Sequence, residues 1–304
     1  MAQAVPETLA LVGAGNMGNA IAALFASNGW RIVLIDPSDE ARAKSRERLL
    51  AGRPPESDLH RRIAWSAELG AAHEASVVIE AAPEDLALKQ GIFQKLEAVC
   101  RPDTVLATNT SGLSITRLAE PMAHPGRFVG AHFFTPADVI PLVEVVGGRL
   151  TAPETVERTL AILRQVGKLP VHVRKDIPGF IANRLQHALA REAMSLLEQG
   201  VATAHDIDTV AKWSLGIRLA LTGPLEQRDL NGLDIHHAIA SYLYPQLENR
   251  RTPSAILSEK VEQGHFGVKS GQGFYAWNSP ERQRALREKD AALRSLAAHL
   301  GEQA

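Results

Sequence analysis

The chain is short of the features that mark several protein classes. It has one cysteine in 304 residues, Cys100, so no internal disulfide can form and a reducing compartment is expected. Neither sign of charge dominates. Lys and Arg number 33 against 34 Asp and Glu, a net charge of −1, which excludes a global attraction to nucleic acid or to an acidic membrane surface. No apolar run approaches the roughly 20 residues that span a bilayer. The opening MAQAVPETLALVG has no basic segment followed by a separate apolar one; its apolar part runs straight into a Gly-rich turn. There is no internal repeat and no low-complexity segment. The histidines, the pair His236-His237 included, lack metal-ligand spacing with acids or cysteine, so no metal is expected. What remains is 45% hydrophobic and 22% charged, the composition of an ordinary globular protein, here expected to be cytoplasmic with no nucleic-acid or membrane partner. The length suggests about two domains.

The pattern along the chain is α/β. TLALVG is an apolar strand that meets GAGNMG, and NAIAALFASNG reads as a helix closed by Gly29. RIVLID, residues 31–36, is a second strand ending on Asp36. Pro37 then opens a helix with acids early and bases late, as the helix dipole favours. Residues 52–70 read as a polar, Pro-containing connection. Strand ASVVIEAAP, helix EDLALKQGIFQKLEAVC, strand TVLATNTS, short helix ITRLAEPM and strand RFVGAHFF follow. Such alternation predicts a parallel, doubly wound sheet of the Rossmann type. After KLPVHVRKDIPG the helical period takes over. Ile181, Leu185 and Leu189 form one stripe, Gly200 closes it, and further helices continue. Pro178-Gly179 breaks the chain, so residues 1–177 are expected to form the nucleotide-binding domain and 178–304 an all-α domain. In the tail, Leu286, Leu293 and Leu300 lie seven apart, a stripe expected to dock on its own domain.

The Gly-rich turn carries the first functional signal. Gly13, Gly15 and Gly18 sit between a strand and a helix, and an acidic residue ends the next strand. Gly13 permits the tight turn, Gly15 lets a pyrophosphate approach the backbone, and Gly18 lets helix and strand pack closely. The helix N-terminus, with Asn16 and Met17, offers N–H groups and positive dipole to the phosphates. Asp36 suits the adenosine ribose hydroxyls and repels a 2′-phosphate, so NAD is expected rather than NADP. Arg42 and Lys44 fall at helical positions expected to face solvent. Nothing later in the chain resembles a second flavin-binding element.

A second signal lies in residues 130–146, GAHFFTPADVIPLVEVV. His132 and Glu144 stand in a mostly apolar stretch, where each is costly to bury without a partner. Together with NTSGLSIT, KDIPGFIANR and GVKSGQGFY, in this order and at this spacing, the stretch resembles the L-3-hydroxyacyl-CoA dehydrogenase family. The likeness runs from the Gly-rich turn to about Tyr275. It implies an NAD-binding Rossmann domain and a helical domain that usually makes a homodimer. The implied reaction is oxidation of a secondary alcohol β to an acyl carbonyl, as in fatty acid metabolism. By position it implies His132 as catalytic base and Glu144 as the carboxylate that orients it. Ser111 and Asn183 match polar groups around the substrate oxygens, and Glu84, Lys89 and Lys269 match positions that line the cofactor or its ribose. Ala81, Asn109 and Ser111 are assigned to the cofactor crevice on the same basis. The residue types suit the chemistry: histidine accepts a proton near neutrality, and a carboxylate on its other nitrogen fixes the tautomer. Structural roles compete at Ser111 as a cap, at Asn183 through local backbone bonds, and at Lys89 and Lys269 as water-facing lysines.

Three positions depart from the family pattern. Thr135 replaces the asparagine of HFFNP, Gly112 replaces a serine, and Pro141 stands where many relatives have lysine. The stretch between Asp36 and Glu80 is also short, with Arg53, Arg61 and Arg62 but little room for the lysine-bearing helical hairpin that grips CoA. GIRLALTGPLEQRDLNGLD resembles relatives that oxidise small free hydroxy compounds such as carnitine, gulonate and a pyridoxine-degradation intermediate. In it, Arg218 and Arg228 suit a free carboxylate, with an ordinary salt bridge as the competing role. Two small-molecule substrates therefore stay open, an acyl-CoA thioester and a small free hydroxy acid. A non-enzymatic NAD-binding protein has no need of Ser111, His132, Glu144 and Asn183 together. A lysine-based relative would need a lysine that FIANRLQHAL does not offer.

Overall fold

The computed structural model describes residues 7–52, 54 and 57–301, which fall into two compact units, Met1–Asn183 and Arg184–Ala304. The first unit runs β1 (Thr8–Val12), α1 (Asn16–Ser27), β2 (Arg31–Ile35), α2 (Asp39–Leu50), α3 (Asp58–Arg62), β3 (Ile63–Ser66), β4 (Val77–Glu80), α4 (Leu86–Val99) and β5 (Val105–Thr108). It continues through α5 (Ile115–Ala119), β6 (Phe128–Phe133), β7 (Leu142–Val146), α6 (Pro153–Gln165) and β8 (Leu169–Val173). Among the described residues these strands make one sheet in the order β3-β2-β1-β4-β5-β6-β7-β8. The order reverses between β1 and β4, which opens a crevice at their carboxyl ends.

Alternation along the strands explains why both faces are covered. Leu9 and Leu11 of β1 join Ile21 and Phe25 of α1 on one side. Ala10 and Val12 join Phe93 and Leu96 of α4 on the other. A period of two puts successive side chains on opposite faces, and a parallel sheet needs both faces buried. Phe25 and Phe93 are fully buried, each contributing about 1.5–3 kcal/mol relative to exposure.

Two features differ from the sequence expectation. The sheet is parallel except at β6 and β7, which pair antiparallel, so the chain doubles back directly after His132. The connection over 52–70 contains α3 and the edge strand β3, parallel to β2. β3 has four residues and only Ile63 is buried, so no alternation long enough to read exists; its pairing with β2 makes it a strand. Arg53 lies outside the described residues.

The second unit is helical, in line with the sequence. α7 (Ala182–Glu198) begins at the end of the first unit. It is followed by α8 (Ala204–Val210), a π-helical turn over Ala211–Gly216, α9 (Ile217–Leu221), α10 (Glu226–Asn231), α11 (Leu233–Leu243), α12 (Ala255–Glu262) and α13 (Pro280–Gly301). From α8 to α13 no helical residue is buried within the chain, and Trp213, Leu225 and Tyr244 are each at least 70% exposed. Among the described residues no helix is long and apolar enough to cross a membrane.

Candidate active site

The Gly-rich turn is shaped by contacts that exclude side chains. Gly13 has φ +108°, and a Cβ there would stand 2.7 Å from the Ala81 carbonyl oxygen. A Cβ on Gly18 would stand 1.9 Å from the Gly13 oxygen, whereas one on Gly15 meets nothing within 4 Å. The first and third glycines therefore let backbones touch, and the second leaves open space. Gly15 caps α1 without a side-chain bond, so the first N–H groups of the helix remain available to an anion. Asp36 holds the turn to the next helix: one oxygen accepts from Ala14 N and the other from Ser38 N, each at 2.9 Å. A carboxylate with two bonds retains lone pairs for ribose hydroxyls. These residues fit the adenosine and pyrophosphate of NAD. Arg42 differs from its expected solvent-facing placement. Its side chain is 20% exposed, bonded to the Asp36 carbonyl and paired with Asp39.

Deeper in the crevice, Glu80 ends β4 fully buried. Its carboxylate accepts from Lys89 Nζ at 2.6 Å, Ala82 N at 2.5 Å and Thr108 Oγ1 at 2.7 Å. Lys89 is thus no water-facing lysine: it is 1% exposed, also bonds the Ala82 carbonyl, and lies 3.5 Å from Glu84. Glu84 in turn accepts from Thr110 Oγ1 and from Ser111 N. An unbroken polar chain therefore runs from the sheet core to the Ser111 backbone. The Asn109 side-chain oxygen accepts from Phe133 N at the end of β6.

His132 and Glu144 are direct cross-strand partners in the β6–β7 pair. Ala131, Phe133, Val143 and Val145 face one core, so His132 and Glu144 point to the opposite face, the side of Phe180. His132 Nδ1 lies 2.9 Å from Glu144 Oε2, and both residues are buried. The other carboxylate oxygen accepts from Ile181 N and Ala182 N, both at 2.9 Å, at the start of α7. Burial is the largest single influence on Glu144 and pushes its pKa up. The bond from His132 and the two backbone N–H groups together outweigh it and hold the carboxyl below its ordinary value. A proton on Nδ1 satisfies the carboxylate and leaves Nε2 as the basic nitrogen. Phe134 lies against the imidazole at 4.4 Å between ring centroids.

The surroundings hold this pair in place. Gly179 and Phe180 have φ +75° and +49°, and this bend turns the Ile181 and Ala182 N–H groups onto Glu144. A left-handed phenylalanine costs about 1–3 kcal/mol, offset here by complete burial of its ring. Lys168 is buried and its Nζ donates to the carbonyls of Ala137 and Ile140, clamping the loop between β6 and β7. In that loop Thr135 contacts Met17 Sδ at 3.1 Å, so the departure from HFFNP sits against the Gly-rich turn. Asn183 Nδ2 donates to the Ser111 carbonyl at 2.8 Å, which brings these two residues together, and the Ser111 side chain is exposed. Sequence reasoning missed Glu80, Lys168 and Phe180. Glu80 gave the same signal as His132, a charge inside an apolar strand.

In the second unit Arg218 and Arg228 line one small cavity of about 140 Å³ with Leu215, Leu219, Gln227 and Asn231. The competing salt bridge is absent: among the described residues neither arginine has a carboxylate partner. Arg218 Nε donates to the Ser214 carbonyl, and Arg228 approaches His236 at 3.4 Å. Lys269 is exposed.

Comparison with known proteins matches two family models in succession along the chain. Residues 8–177 match the model for the 3-hydroxyacyl-CoA dehydrogenase NAD binding domain, and residues 179–277 match that for its C-terminal domain. The chain is similar to 5-formyl-3-hydroxy-2-methylpyridine 4-carboxylate 5-dehydrogenase of Mesorhizobium japonicum. The two are 35% identical over 94% of this chain and 95% of that protein. A probable 3-hydroxybutyryl-CoA dehydrogenase of Bacillus subtilis is 37% identical over 88% and 96%. Among solved structures, 5-formyl-3-hydroxy-2-methylpyridine 4-carboxylic acid 5-dehydrogenase, described as an NAD+-dependent dismutase, superposes with a TM-score of 0.90. It is 34% identical and covers 98% of this chain and 99% of its own.

Proposed function

The chain belongs to the 3-hydroxyacyl-CoA dehydrogenase family of NAD-dependent oxidoreductases acting on CH–OH groups, and within it we propose that His132 is the base that removes the alcohol proton. The observation that carries this is the buried 2.9 Å bond between His132 Nδ1 and Glu144, which leaves Nε2 as acceptor. NAD, held by the Gly13–Gly18 turn and Asp36, supplies the hydride acceptor. As the carbon–hydrogen bond breaks, His132 takes the hydroxyl proton at Nε2, and Glu144 stabilises the imidazolium that forms. Ser111 Oγ and the Asn183 side chain hold the substrate oxygen; removing such a donor typically slows turnover on the order of 10²-fold. Glu84 and Lys89 position Ser111 through the polar chain from Glu80. Ala81 shapes the crevice by its carbonyl, and Asn109 braces β6.

We further propose that the substrate is a small hydroxy compound with a free carboxylate. Arg218 and Arg228, which have no carboxylate partner among the described residues, suit a carboxylate fork. Residues 51–62 hold only a turn and the five-residue α3 among the described residues, with no long hairpin for CoA. The likeness to a pyridine carboxylate dehydrogenase agrees with this reading. Likeness to a 3-hydroxybutyryl-CoA enzyme favours a second reading, the thioester. Initial rates with acetoacetyl-CoA, free acetoacetate and a panel of aromatic and aliphatic hydroxy carboxylates separate the two. Activity confined to thioesters would overturn the first.

The helical unit is proposed to pair with a second copy of the chain. Exposed Leu, Ile and Trp side chains on α8–α11, with no buried helical residue beneath them, support a core completed by association. Light scattering at micromolar concentration is expected to give twice the 32.9 kDa chain mass, and a monomer would contradict it.

A further inference from the structure

A second cavity lies at the other end of the sheet. It measures about 690 Å³ and is built on the amino-terminal ends of strands whose carboxyl ends carry the Gly-rich turn and Asp36. Thr8, Arg31 and Ile63 are the first residues of β1, β2 and β3, and Ser76 precedes β4. None of these residues serves the chemistry above.

The walls are rich in guanidinium groups. Among the described residues, three of them, Arg31, Arg62 and Arg158, have no carboxylate partner. Arg62 donates to the Gly29 carbonyl at 2.6 Å. Arg158 donates to the Asp103 carbonyl at 2.5 Å and weakly to that of Ser76 at 3.4 Å. These bonds to neutral oxygens fix two guanidiniums without neutralising them, and other N–H donors remain on each. Two acids, Glu7 and Glu74, line the same hollow against five arginines. Glu7 accepts from Ser76 Oγ at 2.9 Å, and Glu74 sits 3.4 Å from His73 and 3.8 Å from Arg101. Like charges gathered around one hollow repel each other, and an anion between them relieves that repulsion.

The sheet order sets the shape of that anion. Strands lie about 4.8 Å apart, so β3, β2, β1 and β4 spread their ends over roughly 14 Å. Arg62 and Arg31 stand at adjacent strands at one end, and Arg158 reaches the start of β4 at the other. A single carboxylate meets only one end; a linear anion with several phosphoryl groups meets both. The volume falls within the range of small-ligand sites. We propose that this cavity binds a linear oligophosphate, either free or as the tail of a nucleoside triphosphate.

The test is calorimetric titration of inorganic tripolyphosphate into the full-length protein saturated with NADH, so that the Gly-rich turn is already filled. Saturable binding of one equivalent per chain is expected, weakened about tenfold or more in both Arg31→Ser and Arg158→Gln. Arg31 is exposed and makes no side-chain bond among the described residues, so Arg31→Ser tests binding without disturbing the fold. Retained NADH affinity in each variant checks that the crevice is intact. A parallel titration with ATP identifies the source: tighter binding than tripolyphosphate points to a nucleotide, and equal binding to free polyphosphate. No saturable binding up to millimolar tripolyphosphate overturns the proposal, as does binding that both variants leave unchanged.

Discussion

Replacing Glu144 with glutamine tests the oriented-base reading through atoms whose partners are known. The carboxylate accepts three bonds, one from His132 and two from the backbone N–H groups of Ile181 and Ala182. A glutamine offers one oxygen and one NH2, so it must choose. With its oxygen toward His132, two partly buried backbone donors are stranded, at roughly 1–3 kcal/mol each. With its oxygen toward Ile181 and Ala182, only the histidine contact changes, so this orientation wins. The NH2 then donates to Nδ1, the imidazole proton moves to Nε2, and the base is lost. The same tautomer error behind the histidine of a serine protease costs on the order of 10⁴-fold in turnover, about 5 kcal/mol of barrier. Glu144→Gln is therefore expected to lower kcat about 10³–10⁴-fold with NADH affinity and circular dichroism preserved. A kcat within about tenfold of wild type, with NADH still bound, would refute the reasoning. Stability carries a pH signature as well. The folded carboxyl is held below its ordinary value, so its contribution is complete above the ordinary carboxylate range and is lost as pH falls through the folded value. The Tm gap between wild type and Glu144→Gln should shrink on acidification.

Other substitutions probe separate parts of the account. In Gly18→Ala the added methyl would stand 1.9 Å from a backbone oxygen of the turn. A loss of about 3 kcal/mol in urea melts is expected, together with loss of NADH binding, and an unchanged midpoint would contradict the close packing. Arg218→Ala combined with Arg228→Ala should raise KM for a carboxylate substrate about 10–100-fold with a smaller effect on kcat; equal KM values would remove the arginines from recognition. Lys168→Met should strand the Ala137 and Ile140 carbonyls and loosen the loop they anchor. Faster amide exchange over residues 135–141 and a stability loss of about 2 kcal/mol are expected, and unaltered exchange would count against the clamp.

Where a local rule has one physical cause, the sequence was readable. The three glycines and Asp36 announced the turn because backbone contact and ribose recognition each admit few residue types. His132 and Glu144 could be singled out because isolated polar groups in apolar strands demand partners, and the antiparallel return of β7 makes them neighbours. The same rule applied to Glu80, but for Lys89, nine residues on, the sequence offers only the resemblance to a cofactor-lining position and a lysine's habit of facing water. Its burial depends on the Glu80 carboxylate at the end of β4 and the Ala82 carbonyl just after it, with Thr108 of β5 bonded to the same carboxylate. β3 escaped notice because four residues with one buried side chain carry no period. The left-handed Phe180 was equally invisible: nothing local favours it, and the packing of its ring enforces it.

Single-turnover hydride transfer in His132→Gln, measured by NADH absorbance with the best substrate from the panel, puts the central claim at most direct risk. If His132 is the base, the transfer rate falls at least 10³-fold while the NADH dissociation constant stays within about twofold. A transfer rate within tenfold of wild type would mean that another group takes the proton.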